Sequence, residues 1–415
     1  MINHFTKAFF RRGRLLFVLV FLFHTGMAQS STEMNNQGLE KYKSKDYKGA
    51  ILDFNKAIEL NQQNEKAWHN RGLAKYGLKD YAGAVQDYNQ AIAINAAYTN
   101  AYNDRGLAFT KLKNYDGALQ DYDKAIATDA NYITAYNNRA GVRMFRKDYD
   151  GAMKDYSKGI ELKPADAEGY LGRANALVAL KDYKGAMPDL NKAIELNAGS
   201  AMALLTRGNS RYMLKDEDGA LQDFRKVVQL QPGNSNVYFN MAAIYSSQHK
   251  SREALNAYSQ YNKLEPGEWT GYKNMADIFY VQLMNFDSSS FYYKKAFQLK
   301  NNDKEIIERY GYSLLKLNRI DEAIQMFRNQ LNLLPQDPTG YYNMGAAYSL
   351  GRKPAESLSY LGQALEKRMT DLDRWQKDKY LDNVRLLDDF RTLVKKYFTK
   401  DELAKYPFLF NFADR

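Results

Sequence analysis

AWHNRGLAKYGLKDYAGAVQDYNQAIAIN, residues Ala67–Asn95, decides the architecture, because its pattern returns every 34 residues or so from Ser31 to Asp371. Self-similarity at such a period is the signature of a stacked repeat protein. With Glu65 as position 1, Trp68, Gly72, Tyr81, Ala84, Tyr88 and Ala91 fall at positions 4, 8, 17, 20, 24 and 27. The ten units are 31–64, 65–98, 99–132, 133–166, 167–200, 201–234, 235–268, 269–303, 304–337 and 338–371. Position 8 is Gly or Ala in all of them, from Gly38 to Gly345, and position 20 is Ala except at Ser289 and Ser357. Small residues at two fixed points imply two helices, A and B, that cross closely there. Aromatic residues at position 24, such as Phe54, Tyr88 and Phe224, fill the space beside the crossing.

These positions, held in phase over ten units, resemble the tetratricopeptide repeat. The resemblance implies an all-α fold, a right-handed superhelical solenoid of antiparallel helix pairs. Helix A is expected at positions 2 to 15 and helix B at 18 to 31. Prolines at position 32, as in Pro164 and Pro232, mark where helix B stops, and Pro188 near position 22 is read as lying in a helix first turn. The eighth unit is one residue longer, which predicts an irregularity between Asn285 and Ser290.

Residues 1–28 read as a signal peptide: Lys7, Arg11, Arg12 and Arg14 precede an apolar run from Leu15 to Phe23, and small Gly26 and Ala28 precede Gln29. A membrane anchor is the competing reading, but the run falls short of the roughly 20 residues a span needs, so no membrane span is expected after the signal is removed. Export to a bacterial periplasm or envelope, or secretion, follows. Cysteine is absent, which rules out disulfides and a lipid anchor on cysteine. Residues 372–415 are expected to form C-terminal capping helices, with Leu381, Val384, Leu387, Phe390 and Val394 on one face. The apolar end Tyr406–Phe410 either tucks against the last unit or meets a partner.

The net charge of +11 falls to +7 once the leader's four basic residues are discounted, and Lys recurs beside an acid, as in Lys79-Asp80, so no nucleic-acid partner is indicated. After leader removal only His69 and His249 remain. No zinc pattern, phosphate loop or catalytic triad is visible, so no catalysis, metal or cofactor is expected. Asp at position 23 occurs in units one to six and Arg at position 7 in units two to six, and both stop at unit seven. Features that end together are partners, which predicts an Arg to Asp ladder. Arg71 pairs either with Asp87 of its own unit or with Asp53 of the unit before, and a stripe for anionic ligands is the alternative use.

In the resembled family, helix A lines a concave groove that takes peptides or single helices of partner proteins. Carried to this chain, positions 2, 5, 6, 9, 12 and 13 become the recognition surface. Position 6 is a row of carboxamides, Asn36, Asn70, Asn138, Asn240 and Asn274 among them, with Asp104 in unit three, similar to the asparagine ladders that hold peptide backbones. His69, Asn103, Leu171, Leu205 and Phe239 stand at position 5. Leu171, Leu205 and Phe239, with Met202, Tyr212 and Met213, form an apolar stretch that is either a partner surface or core. Lys273, Glu308, Arg309 and Tyr342 follow as a charged and aromatic stretch. No unit pairs Lys at position 5 with Asn at position 9, which excludes the carboxylate clamp of chaperone-binding relatives. The reading is an exported scaffold for protein or peptide partners. A self-associating envelope component and a binder of glycans or cell-wall peptides through units one to four are the alternatives, and oligomeric state stays open.

Overall fold

A computed structural model describes residues 30–399, 401–402 and 405. The expected signal peptide and the Tyr406–Phe410 end lie outside the described residues. Those described contain helices and no strand, and no helix among them is long and apolar enough to cross a membrane. The chain divides into two compact units, the first ending at Ala220 and the second starting at Leu221. Each is a solenoid of helix hairpins in chain order.

The first unit runs α1 (30–43), α2 (Tyr47–Leu60), α3 (Glu65–Gly77), α4 (Tyr81–Ile94), α5 (Thr99–Lys111), α6 (Tyr115–Thr128), α7 (Ile133–Phe145), α8 (Tyr149–Leu162), α9 (Ala167–Ala179), α10 (Tyr183–Leu196) and α11 (Ala201–Met213). The division falls within α12 (Glu217–Leu230). Odd-numbered members are the A helices. They occupy positions 1 to 13 and the B helices 17 to 30, earlier than expected, because the turn consumes position 15. Lys79 there has φ 66°, and the amides of Lys79 and Asp80 bond back to Tyr76 and Lys75, which closes helix A in a Schellman arrangement. Asp80 then caps helix B by accepting from the Gly83 amide at 2.9 Å. Glycine at position 19 leaves room for this cap, since a Cβ on Gly83 would lie 2.2 Å from the Asp80 carboxylate as placed. At the helix crossing a Cβ on Gly72 would meet the Tyr88 ring at 2.6 Å, which is why a large residue at position 24 goes with a small one at position 8. Pro188 is the sixth residue of α10 rather than part of its first turn, so that helix forgoes one internal hydrogen bond.

The second unit runs α13 (Ser235–Ser247), α14 (Ser251–Leu264), α15 (Trp269–Asp277), α16 (Phe286–Leu299), α17 (Lys304–Lys316), α18 (Ile320–Leu333), α19 (Pro338–Leu350) and α20 (Pro354–Glu366). The extra residue of the eighth repeat is absorbed earlier than predicted, in a π-helical turn Ile278–Gln282 that continues α15. There the Leu283 amide reaches the Ile278 carbonyl at 3.1 Å, and Asn285–Ser290 is regular. The cap is a broken sequence of α21 (Leu372–Lys377), a 3-10 turn Lys379–Leu381, α22 (Asp382–Arg385) and α23 (Asp388–Tyr397). Asp378 makes the break, taking an extended conformation and accepting from the Tyr380 amide. Leu381, Val384, Phe390 and Val394 are buried with Trp375 against Tyr342, Ala346, Leu361 and Leu365. Leu387 departs from the expected face, since it is the extended residue that precedes α23 and is 37% exposed.

Six lysines of the first unit, at 45, 79, 113, 147, 181 and 215 (Lys215 the last), hold left-handed backbone, a conformation that costs a side-chain-bearing residue about 1 kcal/mol or more. Lys79→Gly is therefore expected to raise stability by about 0.5–1 kcal/mol, read as a higher urea midpoint at unchanged slope. A lower midpoint would show that the lysine side chain contributes more than its backbone costs.

Candidate functional site

What positions the helix-A face of the first unit is the seam behind it. Arg71 donates from Nε and Nη2 to both oxygens of Asp87 at 2.9 and 2.7 Å, and from Nη1 to Asn55 of the preceding repeat at 2.7 Å. Arg105 repeats this with Asp121 and Asn89, Arg139 with Asp155 and Asp123, and Arg173 with Asp189 and Ser157. The pairing direction left open by sequence is thus within the repeat for the carboxylate, with a third bond backward to position 25. The aromatic residue at position 4 lies under the guanidinium, 4.6 Å for Arg71 on Trp68 and 5.5 Å for Arg139 on Tyr136. Such an arginine gives three N–H donors and its face to the protein, which favours a structural role for the stripe over an anion site.

The carboxylates are not equally compensated. Asp87 and Asp155 take a second cation, Lys75 at 2.9 Å and Arg143 at 2.6 Å. In the third repeat that position is Phe109, and burial, only partly offset by Arg105, raises the Asp121 pKa. A carboxylate whose folded pKa is raised loses stability as pH climbs through its titration range. Asp121→Asn is accordingly expected to cost less at neutral pH than Asp155→Asn, by about 1 kcal/mol or more, in chemical unfolding of the two variants. An equal cost would contradict the difference in compensation.

The helix-A face itself departs from the expected groove at position 5. His69 and Asn103, expected to line it, are 5% and 2% exposed, and Leu171, which the sequence left open between surface and core, is 7% exposed, because position 5 faces the next A helix. There it bonds position 6 of the following repeat. Asn70 Nδ2 donates to Asn35 at 2.9 Å, Asn138 Nδ2 to Asn103 at 2.8 Å, and His69 Nε2 meets Asp104 at 2.7 Å. The asparagine row zips neighbouring A helices together, and each position-6 side chain of Asn70, Asp104 and Asn138 stays half-buried at the surface, with Asn36 exposed. Leu171 packs with Leu190 and Ala203 in the core.

Leu205 is half-buried while Met202, Tyr212 and Met213 are 59%, 39% and 52% exposed. At helical spacing these four share one stripe of α11. Phe145, at the end of α7, is exposed as well and lies against Tyr115.

In the second unit Phe239 is half-buried against Tyr258 and Tyr261, with ring centroids at 5.5 and 5.1 Å. Asn274 donates to the Tyr258 hydroxyl at 3.0 Å, and Asn240 is half-buried. The expected charged stretch is internally neutralised: Lys273 meets Asp277 and Glu305 at 3.3 and 3.0 Å, and Arg309 meets the same two carboxylates. Tyr342 is a correction, being fully buried under the cap, where its hydroxyl donates to Asp378 at 2.9 Å. Arg374 of the cap donates to Asn343 at 2.9 Å and lies over the Tyr342 ring. Sequence reasoning missed Arg374 altogether, since no periodicity links the cap to the repeats. It also missed the pairing of His69 with Asp104, for which a signal existed: the row's histidine and its carboxylate occupy the positions that Asn35 and Asn70 fill one repeat earlier.

Family models described as "Tetratricopeptide repeat" match residues 65–98, 99–132, 139–201, 171–235 and 224–256, and one described as "TPR repeat" matches 38–79. Together the matched stretches cover about half of the chain. Tetratricopeptide repeat protein 36 of Caenorhabditis elegans is 41% identical over 59 residues, which are 14% of this chain and 33% of that protein. The chain thus spans about a third of the length of this curated relative. Among solved structures, YrrB, a TPR protein with an unusual peptide-binding site, is 24% identical over 44% of this chain and 94% of that one, with a TM-score of 0.39. The C-terminal part of a TPR repeat-containing protein from Cytophaga hutchinsonii is 18% identical over 58% and 98%, with a TM-score of 0.49. Yeast Tom70 is 15% identical over 84% and 94%, with a TM-score of 0.35.

Proposed function

This chain belongs to the tetratricopeptide repeat family, and from that premise we propose that it is a non-enzymatic, exported scaffold that binds a peptide or helical segment of a partner protein on its A helices. The observation that carries the reading is the α11 stripe. Met202, Tyr212 and Met213 stand exposed on a helix whose opposite side, Ala203, Leu204 and Gly208, is buried. Exposed apolar side chains in a row cost solubility without adding to the core, which is the usual mark of a partner surface, and two methionines adapt to more than one ligand shape. A glycan reading would be favoured by an apolar stretch that is buried throughout. Only Leu171 behaves so, and the exposed Met202 and Met213 favour protein over sugar.

The polar part of the same face supports the peptide form of the reading. Asn70 and Asn138 are each fixed by one bond from Nδ2, which leaves a carbonyl oxygen and a second N–H for a ligand main chain. Fixing the carboxamide beforehand lowers the entropy cost of using it. The charged leader segment, apolar run and small residues before Gln29 support export.

Met202→Asp combined with Met213→Asp should weaken binding to an array of random dodecapeptides by tenfold or more, with helicity and unfolding midpoint unchanged. Unaltered binding by the folded variant would contradict the α11 surface. Expressed with its leader in a Gram-negative host, the protein is expected in the envelope fraction with an N-terminus at Gln29. An intact Met1 in the cytoplasm would overturn the export reading.

A further inference from the structure

Resting on the peptide-binding reading, we infer that Asp104 receives a cationic side chain of the bound segment, a lysine ammonium or an arginine guanidinium, at the middle of the position-6 row. Asp87, Asp121, Asp155 and Asp189 of the first unit are each held by an arginine. Asp104, whose side chain is 19% exposed, has no Lys or Arg nitrogen within 4.0 Å among the described residues. Its partners are His69 Nε2 at 2.7 Å and its neighbour Asn103, which donates from Nδ2 at 3.0 Å.

Asp104 keeps acceptor capacity beyond these partners. His69 Nε2 meets one carboxylate oxygen and Asn103 Nδ2 the other, and each oxygen has a second lone pair, so a cation of the ligand is met without displacing either.

Tyr42, Tyr76 and Tyr132 are half-buried, and after burial itself the Asp104 charge is among the causes that raise their pKa values. An ammonium or guanidinium that meets this carboxylate makes a charge-assisted hydrogen bond. Asn36, Asn70, Asn138, Gly172 and Thr206 are neutral, so Asp104 is the one acid or base at position 6 of the first unit and would set the register of a ligand.

The test uses the full chain and N-acetylated, C-amidated random dodecapeptides in three sets, containing Lys, containing Arg, or containing neither. A fourth set without Lys or Arg carries a free N-terminus, which separates a terminal ammonium from a side chain. Wild type is compared with Asp104→Asn, which preserves the acceptor for His69, and with Asp150→Asn, an exposed carboxylate on α8. The expected result is preference for the Lys or Arg sets, at least tenfold lost in Asp104→Asn alone, with neutral peptides bound equally by all three proteins. Equal binding of cation-free peptides by wild type, preference for the free N-terminus only, or an unchanged preference in Asp104→Asn overturns the inference while leaving peptide binding intact. Binding of no peptide by wild type overturns the underlying reading as well.

Discussion

The arginine at position 7 ties the first unit together. A guanidinium has five N–H donors in a rigid plane, and here two go to the carboxylate on helix B of the same repeat, one to the preceding repeat, and the face to an aromatic ring. The geometry therefore couples three elements through one side chain. A repeat of this kind buries too little surface to stand alone, and Ala and Gly at the crossings, set by close approach, reduce the apolar surface further. The polar seam adds directional bonds that fix the angle between neighbours, whereas apolar packing would tolerate sliding. Lysine at the same place would offer a charge without the planar fork, and the backward bond to Asn55 or Asn89 would lose its geometry.

Once the seam fixes the angle, the face opposite inherits its spacing. Position 5 of one A helix and position 6 of the next come within hydrogen-bonding distance, so the asparagines serve first as spacers. This gives them two roles at once, because a side-chain amide has more hydrogen-bonding groups than one neighbour satisfies. The same spacing places His69 against Asp104, where carboxamide is replaced by imidazole and carboxylate, and puts an acid into a row of carboxamides. The apolar stripe of α11 adds a second kind of surface in the same unit, suited to side chains rather than to main chain.

Much of the fold was legible because register is a sum over many weak signals. Gly72 alone says little, but Gly or Ala at every thirty-fourth place implies a crossing, and the position-7 arginines could be matched to the position-23 aspartates from the way the two disappear together, though not Arg71 to Asp87 over Asp53. What was not legible turns on angles of a few tens of degrees around a helix. Positions 5 and 6 are neighbours in sequence and 100° apart on the helix, so His69 and Asn103 read as groove-lining when they face the next helix, and Leu171 stayed open between surface and core. The π-turn at Ile278–Gln282 was sensed as an added residue, yet its place depended on which backbone absorbs the strain, and that is decided by packing. The cap was foreseen as apolar helix but not as a broken one, because Asp378 reads equally well as an exposed helical residue and as a break.

The most direct test of the account is hydrogen exchange across the described helices, with and without a bound dodecapeptide selected from the random array. The account predicts added protection on the A helices of the first unit, concentrated in α3, α5, α7 and α11, with the B helices α4, α6, α8 and α10 unchanged. Protection confined to the B helices or to the C-terminal cap would contradict it, and would mean that the surface organised by the arginine seam is not where this protein meets its partner.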